Sequence, residues 1–359
     1  MSAIYALGSN GSGQIGIGHL EDVSVPKPVL IDIAFLDPST TIRAGGNHTL
    51  LLSSGNLYAA GDLESGACGL MKDDEPNANQ FQEAKLFAEN SSQPSIAFCA
   101  ATWEASVIVT RDNQRRATRV YSFGTGNKGE LGHGDFIFRS SKADLIKDFP
   151  PGLEIIDLAA SVSHVIAVLS NGDVYGWGSG RKGQLGLPEG VIHSPRKVSG
   201  LEFKVVRAVC GREFTYLVGD KGDGQHCILG SDKWQVRSAA PADVRGWKEI
   251  GATWGSIFVL RETGKLLSWG RDDHGQLAPS DLPLLETIAI GSEHAIGLST
   301  GEEVLAWGWG EHGNCGPNTT DGDIKGRWNV IASSRYLPEG SKISAIGAGC
   351  ATSWILISF

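Results

Sequence analysis

Three stretches of the sequence have the Gly-x-Gly-x-x-Gly spacing that binds dinucleotide phosphates in some enzymes. They begin at Gly124, Gly178 and Gly308. A dinucleotide loop must open a helix within a strand–helix–strand unit, because the helix N-terminus holds the pyrophosphate. Here each stretch runs into a Gly-Gln-Leu-Gly segment or its equivalent, followed by loop residues. The spacing therefore indicates a recurring turn, and no nucleotide cofactor is predicted.

Histidine and cysteine, the common protein ligands of transition metals, are spread along the chain without forming a metal-binding pattern. His48, His164 and His294 occupy the equivalent position in three copies of a recurring motif. Equivalent positions of successive repeats are too far apart to share bonds of about 2 Å with one ion, so we expect each histidine to be hydrogen-bonded within its own repeat unit. The six cysteines contain no Cys-x-x-Cys pair, and their spacing matches neither a zinc site nor a compact disulfide framework.

Other catalytic arrangements are also missing from the sequence pattern. No Ser/His/Asp set, no paired carboxylates on a shared element and no Cys/His pair stands out. We therefore predict no catalytic residue, no metal and no cofactor, and expect that the chain is not an enzyme. The side chains that stand out instead are the ten tryptophans, a residue type that concentrates binding energy at protein interfaces.

The elements that must position these side chains belong to a repeat. Its first part is a strand that closes on a glycine and runs into a glycine-rich turn, as in VYGWGSGRKGQLG from Val174. Its second part is a short loop leading into a buried strand, as in AGGNHTLLL from Ala44. Successive closing glycines lie 53, 63, 54, 52, 40 and 38 residues apart, at Gly8, Gly61, Gly124, Gly178, Gly230, Gly270 and Gly308.

Seven copies with a period near 50 residues and several short strands each are typical of a β-propeller. We predict an all-β fold in which residues 1–359 form a single seven-bladed β-propeller. The N-terminal copy (from Ile4) lacks the second part and the C-terminal copy (residues 343–359) lacks the first, so we expect their strands to pair and close the ring. Ile355, Leu356, Ile357 and Phe359 would then be strand residues. The long connections 71–94 and 135–152 are expected to decorate one face or the rim.

Composition and charge narrow the range of partners. The net charge is −9, whereas proteins that bind nucleic-acid phosphates normally carry a basic excess; direct nucleic-acid binding is therefore not predicted. No run approaches the roughly 18 apolar residues of a membrane span, and the N-terminus has no signal-peptide pattern. With scattered cysteines as well, we expect a cytoplasmic or also nuclear location and no membrane association.

The repeats resemble those of the regulator-of-chromosome-condensation propeller family, most clearly in WGSGRKGQLG from Trp177, FGTGNKGELGHGD from Phe123 and AGGNHTLLL from Ala44. The opening MSAIYALGSNGSGQIGIGHLEDVSVPKPV is similar to a fungal branch, the α-tubulin-suppressor or killer-toxin-insensitivity propellers. That resemblance implies a small cysteine-rich metal-binding ribbon protein as partner. It also implies roles in diphthamide synthesis and in Elongator-dependent modification of the tRNA wobble uridine.

Trp103 and Trp254 lie two residues before the histidine position, in the loop that enters the second part of the repeat. In the family's plant ultraviolet-B photoreceptor the interface tryptophans occupy the matching place, so the resemblance implies that these loops gather on one face. The same loops contribute Asn47, Glu104, Arg212, Glu213 and Glu293. Three further tryptophans lie in the degenerate copy or beside irregular loops and are additional candidates: Trp234, Trp309 and Trp328. By contrast, Trp177, Trp269, Trp307 and Trp354 are expected in the core.

Three functional hypotheses follow. The first is a non-catalytic scaffold that holds the metal-ribbon protein on the face bearing Trp103 and Trp254. The second is a guanine-nucleotide exchange factor, which would bind a small GTPase and favour its empty state by wedging loops against the nucleotide pocket. The third is a substrate adaptor within a ligase or kinase assembly.

Overall fold

The computed structural model describes residues 2–33, 36–37, 39–69, 77–87 and 93–359. Their strands in the N-terminal half are β1 (Ser2–Gly8), β2 (Val23–Pro28), β3 (Thr41–Ala44), β4 (His48–Ser53), β5 (Asn56–Gly61), β6 (Gln82–Glu83), β7 (Ile96–Ala101), β8 (Ala105–Arg111), β9 (Ala117–Thr125), β10 (Arg139–Ile146), β11 (Ile155–Ser161), β12 (His164–Leu169), β13 (Val174–Gly180) and β14 (Gly190–Lys197). Those that follow are β15 (Arg207–Cys210), β16 (Phe214–Val218), β17 (His226–Gly230), β18 (Trp247–Ala252), β19 (Ser256–Arg261), β20 (Leu266–Gly270), β21 (Leu285–Ile290), β22 (His294–Ser299), β23 (Glu303–Trp309), β24 (Asp323–Ser333), β25 (Lys342–Ala348) and β26 (Thr352–Ser358).

These strands form seven antiparallel sheets, each of which is one blade. Blade 1 contains β3–β6, blade 2 β7–β10, blade 3 β11–β14, blade 4 β15–β17, blade 5 β18–β20 and blade 6 β21–β24. Blade 7 has the order β2-β1-β26-β25. The first strands of successive blades contact one another in turn, and β25 contacts β3, so the blades form a closed ring. The prediction of a seven-bladed propeller is confirmed.

The ring is closed by pairing of the two ends of the chain, as predicted. Strand β1 runs antiparallel to β26, with registered partners from Ser2↔Ser358 to Gly8↔Thr352. Ile355, Leu356 and Ile357 are buried in β26, whereas Phe359 follows the strand and is exposed, which corrects its expected place in it. A closed ring leaves no sheet edge free between the first and last blades.

The closing glycines have a single structural reason. At all seven of them φ lies between 99 and 118°, a region that side-chain-bearing residues rarely adopt. A Cβ at any of them would lie 2.2–2.8 Å from a backbone carbonyl oxygen of the loop between the first two strands of the same blade. The third strand therefore ends against that loop, and the chain turns toward the fourth strand at the outer edge.

The hydrophobic core lies between adjacent blades. Trp177, Trp307 and Trp354 are fully buried and Trp269 nearly so, as predicted. The histidine prediction is wrong in one respect, because each ring bonds to the next blade and not within its own. Nε2 of His48 lies 3.1 Å from Oγ of Ser106 in blade 2, and His164 and His294 make the equivalent contacts to Thr215 and Ser353. The side chain is long enough to reach the neighbouring second strand.

The two long connections each contain the outermost strand of a blade, which lies at the rim. Much of 135–152 is β10, the outermost strand of blade 2, and so belongs to the sheet itself. Of the 71–94 connection, residues 77–87 and 93–94 are described; they include β6, the outermost strand of blade 1, and the rest lies outside the described residues. Among the described residues, no helical segment is long or apolar enough to cross a membrane.

Candidate protein-binding face

The site is built by two sets of loops on one face of the disc, here called the upper face. The inner loops join the first and second strands of each blade. The outer loops follow the third strands. Each outer loop begins with a backbone N–H that donates to an inner-loop carbonyl of the same blade, as from Asp62 to Asn47 (2.8 Å), from Thr125 to Glu104 (2.8 Å) and from Trp309 to Glu293 (3.0 Å). The inner loops therefore surround the channel mouth and the outer loops surround the inner ones.

Neighbouring inner loops are tied to one another by their backbones. The N–H of Gly46 donates to the carbonyl of Trp103 and that of Trp103 to Val162, both at 2.9 Å. On the other side of the ring, Arg212 donates to Trp254 (3.1 Å) and Trp254 to Ser292 (2.8 Å). The side chains at these positions are thus carried by a mutually braced circle of loops.

Trp103 and Trp254 meet over the central channel although they belong to blades 2 and 5. Their ring centroids are 5.9 Å apart and their planes make an angle of 47°. The channel below has a volume of about 390 Å³ and is lined by the first strands. Gly46 leaves the space for this arrangement, since a Cβ there would lie 2.6 Å from the Trp103 ring. Trp103 remains 38% exposed, and Trp254 is half-buried.

A cavity of about 430 Å³ adjoins the tryptophan pair. Trp103, Trp254, Glu104, Arg212 and Lys128 contribute to its lining. The Arg212 guanidinium lies 5.5 Å from the centroid of the Trp254 ring, within cation–π range. A cavity of this size can accommodate a side chain or small ligand, so the geometry offers an aromatic recess with charged walls.

Glu130 forms the buried side of this cavity. Its carboxylate accepts the backbone N–H of Lys128 at 2.6 Å, the role that Gln14, Gln184 and Gln276 play in other outer loops. Burial raises the pKa of the Glu130 carboxyl above its ordinary value, although the hydrogen bonds it accepts from the backbone N–H groups of Glu130 and Lys128 oppose this rise. Its first role is thus to hold the turn that presents Lys128.

Trp234 extends the aromatic surface outward from the pair. It is 42% exposed, and a Cβ at Gly255, the residue after Trp254, would lie 3.1 Å from its ring. Arg271 and Lys233 stack on it at 5.1 and 5.3 Å from the ring centroid. No sequence pattern singles out Arg271 or Lys128, because their role depends on the outer loops lying beside the tryptophans.

Of the remaining predicted residues, some lie on the upper face and others lie elsewhere in their blades. Asn47, Glu104 and Arg212 are exposed on inner loops, and Glu213 is half-buried there. Trp309 starts the outer loop of blade 6, and its ring is nearly perpendicular to that of His312, with the ring centroids 5.2 Å apart. Trp328 lies in the outermost strand β24, packed against the core of blade 6, away from the tryptophan pair.

Glu293 does not belong to the exposed surface, which corrects its expected place there. It is 4% exposed and receives hydrogen bonds from Arg271 (2.5 Å) and from Gln276 (2.9 Å). Burial raises the pKa of its carboxyl, opposed by those two partners. The outer loop of its neighbour, blade 5, folds over it, so Glu293 positions Arg271 beneath Trp234.

Comparisons with known proteins agree with this architecture. The family model described as the RCC1-like domain matches residues 3–355. The chain belongs to the RCC1-like family. An RCC1 repeat-containing protein of Schizosaccharomyces pombe is 35% identical over 99% of this chain and 98% of its own length. The structure of Prp20p from Saccharomyces cerevisiae matches with a TM-score of 0.80 at 20% identity, covering 99% of this chain and 91% of that one.

A second relative bears on catalysis. The secretion-regulating guanine nucleotide exchange factor of mouse is 27% identical over 97% of this chain and 82% of its own length. Nucleotide exchange is a catalysed process that needs no acid or base from the propeller. The prediction that this chain is not an enzyme, made from the lack of a catalytic residue pattern, is therefore contradicted by its relatives.

Proposed function

We propose that the chain binds a folded protein through the upper face around Trp103 and Trp254. The observation that carries this proposal is the contact of the two rings over the channel, with Arg212 stacked on one of them and a cavity beside them. Interface energy concentrates where aromatic and arginine side chains are held rigidly in partly desolvated recesses. Braced inner loops lower the entropy that such side chains would lose on binding.

The partner in this proposal is the small cysteine-rich metal-binding ribbon protein. What supports it is the resemblance of the first thirty residues to the fungal propellers that pair with such a protein. The propeller would cover or orient the metal site of the ribbon and so control electron delivery to diphthamide synthesis and to tRNA wobble-uridine modification.

Calorimetric titration of the purified chain with the ribbon protein of its host tests this function. Trp103→Ala and Trp254→Ala should each weaken one-to-one binding by more than about 2 kcal/mol, or roughly thirtyfold in Kd. Tyr336→Ala is the matched control, because Tyr336 is an 88% exposed aromatic residue that follows β24, away from the tryptophan pair. It should leave the Kd unchanged.

Each result has a separate meaning. If both tryptophan variants bind as tightly as wild type, the assignment of the partner stands and the assignment of the binding face is wrong. A wild-type chain that does not bind the ribbon protein would overturn the partner.

A second candidate function is nucleotide exchange on a small GTPase, favoured by the mouse relative whose name states that activity. Loops of the upper face would stabilise the nucleotide-free state of the GTPase, and differential affinity for that state is what drives release. Release of a fluorescent guanine nucleotide from purified small GTPases, followed with and without the chain, distinguishes this candidate from the first.

A further inference from the structure

The outer loops differ in charge at two equivalent tip positions, the third and fourth residues after the closing glycine. In blades 2, 3 and 4 these positions hold, in order, Asn127, Lys128, Arg181, Lys182, Lys233 and Trp234. In blades 5, 6 and 1 they hold Asp273, His274, Glu311, His312, Glu64 and Ser65. Blade 7 has Gly11 and Ser12, which carry no charge. The upper face is therefore divided into a basic arc (Lys128, Arg181, Lys182 and Lys233) and an acidic arc.

Three of the four cations of the basic arc are available to a partner, and the fourth, Lys233, stacks on Trp234. Lys128, Arg181 and Lys182 are exposed, and no ion pair links any of them to another described residue. Many other basic side chains are committed within the chain. Their ion pairs are Arg116–Asp112, Lys197–Asp173, Arg207–Asp157, Lys221–Glu262, Arg271–Glu293 and Lys325–Asp323.

Carboxylates also occur in this half of the face, but none of the following occupies a tip position. Glu104 and Glu213 lie on the inner loops, nearer the channel. Asp232 accepts the backbone N–H groups of Arg237 and Ser238 at 2.7 and 3.0 Å, and these hydrogen bonds lower the pKa of its carboxyl. Glu189 follows the tip of blade 3 and is exposed. The charged side chains at the tip positions of blades 2–4 are all positive, and Glu189 is an exposed negative charge beside them.

We propose that the basic arc docks an acidic protein segment whose neighbouring part reaches the cavity beside Trp103 and Trp254. The arc runs along the same blades that supply Trp103, Lys128 and Arg212 to that cavity. In a chain with a net charge of −9, an acidic segment is repelled from the acidic arc and guided to one orientation, because complementary charge fixes register and speeds encounter. The inference rests on the proposed function, to which it adds the chemistry of the partner.

A probe that does not depend on the ribbon protein tests the arc. A short fluorescein-labelled peptide rich in glutamate is titrated with the chain at low salt and followed by anisotropy, beside the same peptide with glutamine in place of glutamate. The glutamate peptide should bind more tightly. The double variant Arg181→Glu, Lys182→Glu should weaken it by about tenfold or more.

The matched control is the double variant Lys142→Glu, Lys147→Glu. It changes the net charge equally, at exposed residues on and just after the outer strand of blade 2. Its affinity for the peptide should stay within about twofold of wild type. Equal losses in both variants, no preference for glutamate, or no binding at low salt would overturn the arc.

A short single-stranded RNA replaces the peptide in a parallel titration. If the RNA binds more tightly than the peptide and loses affinity on reversal of Arg181 and Lys182, the arc is a nucleic-acid surface and the acidic-protein assignment is wrong. The ribbon titration separates the two proposals. Sensitivity of ribbon binding to Trp103→Ala but not to arc reversal would keep the proposed function and remove the arc. If the chain prefers the glutamate peptide but does not bind the ribbon protein, the arc stands and the proposed partner is wrong.

Discussion

Two kinds of joint hold neighbouring blades together, and both end at the same backbone carbonyl. That carbonyl belongs to the sixth residue after the closing glycine, in the outer loop. In three joints it is reached by a histidine through a hydroxyl, and in three others directly by a tryptophan. The comparison shows how a ring of unequal repeats can keep one geometry with different side chains.

The histidine joints connect blades 1–2, 3–4 and 6–7. In the last, Nε2 of His294 lies 2.9 Å from Oγ of Ser353, which donates to the carbonyl of Asn314 at 2.8 Å. Ser106 and Thr215 relay His48 and His164 to Ala67 and Gln184 in the same way. Because the single hydroxyl proton goes to the carbonyl, the imidazole must donate from Nε2, which leaves Nδ1 without a proton.

The tryptophan joints connect blades 2–3, 4–5 and 5–6. The indole Nε1–H of Trp177, Trp269 and Trp307 donates to the carbonyls of Glu130, Val236 and Gln276 at 2.8, 2.7 and 3.0 Å. Where a blade has a histidine at the position of His48, the next blade has no tryptophan before its closing glycine. One donor is enough for the carbonyl. At the 7–1 joint Thr352 and Ala60 hold the two positions, and Trp354 packs edge-on against Phe81 at 5.7 Å.

The largest effect should come from truncating a tryptophan of a joint. Trp307→Ala removes a fully buried ring and leaves the carbonyl of Gln276 without its donor, so we expect a loss of about 3–5 kcal/mol in the free energy of unfolding. Trp103→Ala is the control, because that ring is 38% exposed and should cost far less. Urea denaturation measures both. Equal losses of stability would show that Trp103 has a structural role and is not reserved for binding.

The next effect is a pH dependence confined to the histidine joints. Burial lowers the pKa of His48, His164 and His294 from 6.5 to about 4. Between pH 6.5 and 4, therefore, these histidines are protonated in the unfolded state and neutral in the folded state. Stability from this source is complete above pH 6.5 and is lost as the pH falls toward 4. Each histidine should lower the free energy of unfolding by about 2 kcal/mol at pH 5.

Urea denaturation at pH 7.5 and pH 5 measures this dependence. His164→Gln should be less stable than wild type at pH 7.5 but should lose about 2 kcal/mol less on acidification. Trp177→Phe, which changes a joint without a titrating group, should keep the wild-type dependence on pH. An unchanged dependence in His164→Gln would mean that this histidine does not titrate in the folded chain.

The sequence was sufficient for the ring but not for its joints. Seven closing glycines and the unmatched end copies predicted blade number and closure, because those features recur locally. The joint between His48 and Ser106 pairs a residue of one repeat with a residue of the next. A pattern found within single repeats therefore does not reveal it. Trp103 and Trp254 could be assigned to one face from their loop position, whereas their contact depends on the ring bringing blades 2 and 5 together and on the space at Gly46.

The smallest effect isolates the hydrogen bond itself. Trp177→Phe keeps most of the packed ring but removes the indole N–H, so the carbonyl of Glu130 loses its donor at 2.8 Å. Ser106→Ala does the equivalent in a histidine joint, where it frees the carbonyl of Ala67 and also the imidazole of His48. Each should cost about 1 kcal/mol or slightly more, and Ser106→Ala should cost more because two buried groups lose a partner.

Urea denaturation of the two single variants and of the double variant gives the test. The two joints lie on opposite sides of blade 2, with no side chain shared between them, so their losses should add within about 0.5 kcal/mol. A double variant much less stable than the sum would show that blade 2 transmits strain from one joint to the other. In that case the two kinds of joint would not contribute independently to stability. Additive losses would mean that each carbonyl needs only its own donor, whichever side chain supplies it.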